Sequence, residues 1–207
     1  SKSARNAFIA PWLCGATALL VDKRFDPRER LEIVERERVA VLCMAPTEYR
    51  ICAKRTRLKP IATLRHAVAA GEALNPEVLL EWREQVGVEI RDGYGQTETS
   101  HLAATPLNEA VRPGSMGKLL PGVSGWLDDG ELVLDPSTVP TFFSHYLGQA
   151  TSPRPETWRT GDRMREDEDG FLYFEGRTDD VINSAGYRIG PFEVESALVE
   201  HPAVAEA

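Results

Sequence analysis

The chain is short of cysteine and histidine, of basic residues relative to acidic ones, and of long apolar runs. Each shortage removes a class of protein. No stretch approaches the ~18 consecutive apolar residues that cross a bilayer, and the first residues lack the charged-then-apolar order of a secretory signal. No membrane span is expected. The three cysteines, Cys14, Cys43 and Cys52, are odd in number and show no C-x-x-C spacing. Lying in apolar surroundings, they read as core thiols of a cytoplasmic protein in a reducing compartment rather than as a disulfide framework. His66, His101, His145 and His201 are scattered without metal-site spacing, so no zinc is expected. A net charge of −8 at pH 7 argues against nucleic acid, which calls for a clustered basic surface.

What is present is enough for a sizeable core: 207 residues can hold one large domain or two small ones. Residues 1–15 mix small and apolar positions and read as a packed helix bent near Pro11, followed by a buried strand over residues 16–21. Asp26-Pro27-Arg28-Glu29 is a helix start, with a capping side chain, a proline in the first turn and a glutamate to complete the box. Residues 39–44 read as a strand, Pro46 opens a helix carrying Tyr49 and Ile51, and residues 64–70 form a further strand. Asn75-Pro76-Glu77 caps a helix with Leu79, Leu80 and Trp82 on its apolar face, and Gly87 stops it. Residues 88–91 are the next strand. Strands alternating with helices across short loops predict an α/β fold with a doubly wound, mostly parallel sheet.

After Thr99 glycine and proline become frequent and helical periodicity fades. Asp128-Asp129-Gly130 and Asp169-Gly170 mark two hairpins, giving a small β-barrel-like subdomain, with residues 149–157 as an exposed loop. From Gly176 the texture changes again, toward a helix opened by Pro191 and a stub of strand at the end, the start of a small α+β lid domain. The expected division is 1–103, 104–177 and 178–207, the last piece too small to bury a core and therefore read as cut.

The stretch that organises this reading is Asp92-Gly93-Tyr94-Gly95-Gln96-Thr97-Glu98-Thr99. It follows an apolar strand, where open α/β sheets bind ligands at the carboxyl ends of their strands. It offers a flat aromatic to stack on a base, glycines that admit close backbone, a hydroxyl for a phosphate and a carboxylate for a metal such as Mg²⁺. Alone, the same residues could form an ordinary turn. Two further motifs stand after it: Trp158-Arg159-Thr160-Gly161-Asp162, then Gly176-Arg177-Thr178-Asp179-Asp180 with Gly186-Tyr187-Arg188-Ile189-Gly190-Pro191.

In this order the three motifs resemble the adenylate-forming superfamily of acyl-CoA synthetases, adenylation domains and luciferases, and the last is most similar to the medium-chain acyl-CoA synthetase branch. The resemblance implies a role for each position. Tyr94 would stack on adenine, with Gly71, Glu72 and Ala73 as the opposite wall. Asp92 and the backbone of Gly93, Gly95 and Gln96 would border the nucleotide. Thr97 would touch the α-phosphate and the acyl carboxylate, and Glu98 would hold Mg²⁺. Asp162 would accept from the ribose hydroxyls, a charge-assisted arrangement. Arg177 would contact ribose and phosphates, and Arg188 the phosphates or acyl-adenylate. Asp179 would be the hinge of the small domain, whose rotation is a conformational gate. Ala185, Gly186 and Tyr187 would line the channel for CoA. Without the family, Gly71 is a strand-end turn, Asp162 a cap, and the arginines surface ion-pair partners worth at most about 1 kcal/mol.

The implied activity is ATP-dependent activation of a carboxylic acid to an acyl-adenylate, then transfer to CoA with release of AMP and pyrophosphate. Acetate-specific relatives carry a bulky aromatic where this chain has Gly95, so the resemblance implies room for a medium-chain, branched or aromatic acid. Trp126, His101 and Leu102 could line that pocket or be plain core and surface. The family's Ser/Thr/Gly-rich phosphate loop and its adenylating lysine have no counterpart here. The chain alone is therefore expected to be inactive, needing the remainder of its enzyme or a complementing chain. Two other readings stay open: an adenylation enzyme that loads a carrier protein, and a non-catalytic nucleotide- or acyl-binding fragment.

Overall fold

The computed structural model describes residues 10–71, 74–151, 153–180, 182–184, 187–189, 191–199, 201, 203 and 204. They form two compact units, Ser1–Gly93 and Tyr94–Ala207.

The first unit is a three-stranded parallel sheet with helical crossovers. Strand β1 (Val41–Met44) pairs with β2 (His66–Ala70), and β2 pairs with β3 (Ile90–Gln96) over Ile90 to Gly93. Helix α1 (Pro27–Arg36) begins where Asp26 accepts the Glu29 N–H at 2.8 Å. Helix α2 (Pro46–Arg55) has a Glu48 carboxylate reaching back to the Ala45 N–H. Helix α3 (Pro76–Val86) is capped by Asn75, whose Oδ1 accepts the Glu77 N–H at 2.8 Å, and ends at Gly87. Each cap satisfies a donor that the first helical turn leaves without an intrahelical partner. The sheet face bearing Leu42, Met44, Ala67 and Ala69 is buried, while Val41, Cys43 and His66 on the alternate positions are exposed.

Tyr49 and Trp82 are the centre of this core, both with no exposed surface. Their rings meet edge to face, 4.9 Å between centroids and at 85°, a geometry that adds about 0.5–1.5 kcal/mol to the area buried. The polar ends do not go to waste. The Tyr49 hydroxyl donates between the carbonyls of Leu42 (2.9 Å) and Val68 (3.1 Å), tying β1 to β2, and Trp82 Nε1 donates to the Tyr49 carbonyl at 3.2 Å.

In the second unit, β4 (Ser100–Ala104) pairs antiparallel with β5 (Lys118–Leu119). A four-stranded antiparallel sheet follows: β6 (Gly125–Asp128), β7 (Glu131–Leu134), β8 (Trp158–Glu166) and β9 (Leu172–Arg177), in chain order. The β6–β7 turn is Asp129-Gly130 at φ 48° and 78°, the left-handed pair that a two-residue hairpin needs. Asp167 organises the β8–β9 turn by accepting the N–H groups of Asp169 and Phe171. Leu132, Leu134, Met164 and Leu172 from this sheet pack with Leu102, Met116, Val139, Phe142 and the Tyr94 ring. The last elements are a short antiparallel hairpin, β10 (Ile182–Ser184) with β11 (Tyr187–Ile189), and helix α4 (Pro191–Val199).

Four expectations change. Residues 16–21 form no strand, and Leu19 and Leu20 are 50% and 60% exposed, because apolar β-formers make a strand only where a neighbouring strand pairs with them. Of the three thiols only Cys52 is buried; Cys14 and Cys43 are exposed, Cys43 because strand alternation turns it to the sheet face that the described residues leave uncovered. The strand expected over residues 88–91 extends further: β3 runs through to Gln96, and only Thr97 to Thr99 turn. The four-stranded sheet is open among the described residues, with no ladder joining β6 to β9. Most of the helix expected over residues 1–15 and the strand stub at residues 205–207 lie outside the described residues.

Candidate functional site

In the first unit, Gly71 directly follows β2, and Asp92 is the third residue of β3, 4% exposed. The Asp92 carboxylate accepts the backbone N–H groups of Leu74 (3.2 Å) and Gly93 (2.8 Å). It thereby tethers the segment that leaves β2. Glu72 and Ala73, in that segment, lie outside the described residues.

In the second unit the first two motifs meet. Tyr94 and Asp162 are 7% and 5% exposed, and the Tyr94 hydroxyl donates to Asp162 Oδ2 at 2.5 Å. Gln96 Nε2 donates to the same oxygen at 2.8 Å and to the Thr160 carbonyl at 2.7 Å. On the amide's other side, Trp158 Nε1 donates to Gln96 Oε1 at 3.2 Å. Strand register puts Arg177 directly opposite Asp162, and its Nη1 donates to Asp162 Oδ1 (3.0 Å) and to the Thr160 carbonyl (3.1 Å). Arg177 Nε reaches Asp179 Oδ1 at 3.2 Å. The cluster thus gathers three donors around one buried carboxylate, the condition for keeping a charge inside a protein.

The surroundings tune these groups. Burial first, and then the charge of Asp162, push the Tyr94 phenol far above its ordinary range, so it remains a donor. Burial is the largest single influence on Arg177 and opposes its charge, but the hydrogen bond to Asp162 and the charges of Asp162 and Asp179 together outweigh it and hold the guanidinium above its usual value. Gly161 has φ 70°, and a Cβ there would stand 2.8 Å from Arg177 Nη2; glycine lets the guanidinium lie across the strand. The Thr160 hydroxyl donates to the Leu132 carbonyl and accepts the Asp162 N–H, which fixes the backbone that carries the carboxylate.

The Thr97–Thr99 turn is held by the segment after Val139. The Phe143 N–H donates to the Glu98 carbonyl at 2.7 Å, the Thr141 hydroxyl donates to the Thr99 carbonyl, and the Tyr146 hydroxyl donates to Glu98 Oε1 at 3.0 Å. Thr97 is exposed and Glu98 half-buried. Among the described residues no three or more His, Cys, Asp or Glu side chains converge. A single carboxylate is compatible with Mg²⁺, which is commonly held by one or two carboxylates together with substrate phosphates.

Gly95 requires a correction. A Cβ there would fall 1.9 Å from the Ser100 carbonyl oxygen and 2.8 Å from the His101 Cα. The missing side chain admits neighbouring backbone and does not open an acyl pocket. Leu102 is buried in the core and Trp126 is 46% exposed. Tyr187 and Arg188 pair through β11 with Ser184 and Asn183. Their side chains, with Ala185 and Gly186, lie outside the described residues. Trp158 and Tyr146 join the candidate site through the tertiary structure. Trp158 stands inside a quoted motif, whereas nothing local marks Tyr146.

The AMP-binding enzyme family matches residues 3–137, and the chain belongs to it. It is 42% identical to the human mitochondrial acyl-coenzyme A synthetase ACSM4 over its whole length, and 42% identical to the uncharacterized acyl–CoA ligase YtcI of Bacillus subtilis over 97% of it. It spans 39% and 41% of those relatives. Among solved structures, the anthranilate CoA ligase AuaEII in complex with anthranoyl-AMP superposes with a TM-score of 0.84, at 31% identity over 96% of this chain and 41% of that one. The o-succinylbenzoate coenzyme A synthetase of Bacillus subtilis, in complex with ATP and magnesium ion, superposes at 0.81, with 29% identity over 99% of this chain and 45% of that one.

Proposed function

We propose that this chain is part of an AMP-forming acid–thiol ligase that activates a medium-chain, branched or aromatic carboxylic acid with ATP and passes the acyl group to CoA. The observation that carries the reading is the cluster on Asp162, where a carboxylate, a tyrosine and an arginine from separate motifs converge. In this reading the ribose hydroxyls donate to Asp162, Tyr94 and Asp92 border the adenine with Gly71, Glu72, Ala73 and Gly93, and Arg177 faces the phosphates. Thr97 contacts the α-phosphate, Arg188 reaches it in one arrangement of the small domain, and Asp179 is the hinge. Glu98 would hold Mg²⁺, which supplies charge neutralisation at the phosphates.

The acid's carboxylate oxygen attacks the α-phosphorus, and the bond to pyrophosphate breaks. The CoA sulfur then attacks the acyl carbon, loses its proton, and expels AMP. The first step joins two anions, so positioning and electrostatics carry it. Aromatic acids are favoured because two structural neighbours are named as anthranilate and benzoate CoA ligases. The three free cysteines suit a reducing compartment such as the cytosol.

The test is ATP–pyrophosphate exchange with the full-length protein that carries this chain, across acetate, hexanoate, benzoate and anthranilate, with AMP and CoA thioester followed by mass spectrometry. Exchange strongest with hexanoate or an aromatic acid, followed by thioester, is expected. Exchange strongest with acetate would overturn the substrate class. Silence across the panel would favour a non-catalytic nucleotide-binding protein.

A further inference from the structure

Gln96 is half-buried, and its amide is used on both sides by protein groups. The indole N–H of Trp158 can only donate, so it must face Oε1. The Thr160 carbonyl and Asp162 Oδ2 can only accept, so they must face Nε2. The observed distances of 3.2, 2.7 and 2.8 Å follow that assignment, and the flipped amide would meet a like group on each side. Trp158 is itself held edge to face between Phe142 and Phe143, at 5.3 and 5.7 Å between centroids. The indole sets the amide, and the amide sets the carboxylate. Tyr94 and Gln96 together occupy Oδ2, which leaves Oδ1 on the side of Arg177, whose side chain is 44% exposed.

We propose that Gln96, with its orientation keyed by Trp158, is a positioning residue that holds the Asp162 carboxylate so that Oδ1 is presented to the ribose hydroxyls. Gln96 then governs discrimination between ribo- and deoxyribonucleotides without touching the nucleotide through its side chain. This rests on the reading of Asp162 as the ribose acceptor. A carboxylate with one oxygen clamped keeps the direction of its second oxygen, and a hydrogen bond to a charged acceptor is lost steeply as its angle opens.

The experiment measures kcat and KM in pyrophosphate exchange with ATP, 2′-deoxy-ATP and 3′-deoxy-ATP, using the full-length protein and its Gln96→Leu, Gln96→Glu and Trp158→Phe variants. The parent is expected to prefer ATP by more than about tenfold. Gln96→Leu is expected to narrow that preference at least about fivefold, mainly through the KM for ATP, and Trp158→Phe to narrow it less. Gln96→Glu sets a second carboxyl beside Asp162. Its preference for ATP is expected to recover below about pH 6, where that carboxyl takes a proton and donates in the amide's place. A merely structural role would weaken ATP and both deoxynucleotides alike. A parent that prefers ATP while its Gln96→Leu and Trp158→Phe variants prefer it equally would overturn the inference alone. A parent indifferent to the missing hydroxyls would overturn the ribose reading of Asp162, and the inference with it.

Discussion

Up to Gly93, the two largest buried side chains turn their polar ends on the backbone. The Tyr49 hydroxyl ties β1 to β2, and the Trp82 indole ties α3 to α2. From Tyr94 onward, the hydroxyl of Tyr94 and the amide of Gln96 turn instead on one carboxylate, which also takes an arginine from the next strand. The same kinds of group do different work. In the first unit the polar atoms of Tyr49 and Trp82 complete a scaffold and carry no net charge. In the second, donors gather around one carboxylate and aim it, which a scaffold does not require.

The largest effect expected is on stability. Trp82→Ala removes a side chain with no exposed surface and should destabilise the chain by about 3–5 kcal/mol, read from chemical denaturation. Next comes Asp162→Asn, which removes the charge but keeps the shape. The kcat/KM for ATP in pyrophosphate exchange should fall about 100-fold, roughly 2.7 kcal/mol, while stability changes by less than about 2 kcal/mol. If Asp162→Asn cost as much stability as Trp82→Ala, the contrast between scaffold and site would disappear.

The smallest effect sharpens the comparison with pH. The phenols of Tyr49 and Tyr94 are both raised, first by burial, then by Cys43 at Tyr49 and by Asp162 at Tyr94. A raised folded-state value means that only the unfolded chain loses these protons near pH 10. The stabilisation is therefore complete below about pH 10 and is lost as the pH rises above it, at about 1.4 kcal/mol per pH unit for each tyrosine. Denaturation midpoints across pH 9 to 11.5 should show that slope, and Tyr49→Phe or Tyr94→Phe should each flatten it by one proton. An unchanged slope in Tyr94→Phe would mean that this phenol ionises in the folded protein and that water reaches the cluster.

Much of the fold was legible because its signals are local. Asp26, Asn75 and the prolines at 27, 46 and 76 mark helix starts within a single turn, and Asp129-Gly130 marks a hairpin by backbone conformation alone. The misread elements needed a neighbour. Residues 16–21 have strand composition and no partner strand among the described residues, and Cys43 is apolar in context but lies on the face that those residues leave uncovered. Gly95 was read from a family pattern as absent bulk. The approach of the Ser100 carbonyl, set by how β3 turns into β4, gives it the opposite meaning. The candidate site was legible as a set of residues but not as a wiring: nothing near Gln96 in the chain announces Asp162.

The sequence by itself determined where helices begin and end, which hairpins turn tightly, and which motifs place the chain in its family, since each depends on residues a few positions apart. Only the tertiary structure decided that Tyr94 and Gln96 share an acceptor more than sixty residues away, that Arg177 stands opposite Asp162, and that Tyr146 holds Glu98. Those pairings depend on strand register and on the closing of long loops. Register is set by packing over the whole sheet, so no local window of residues contains it.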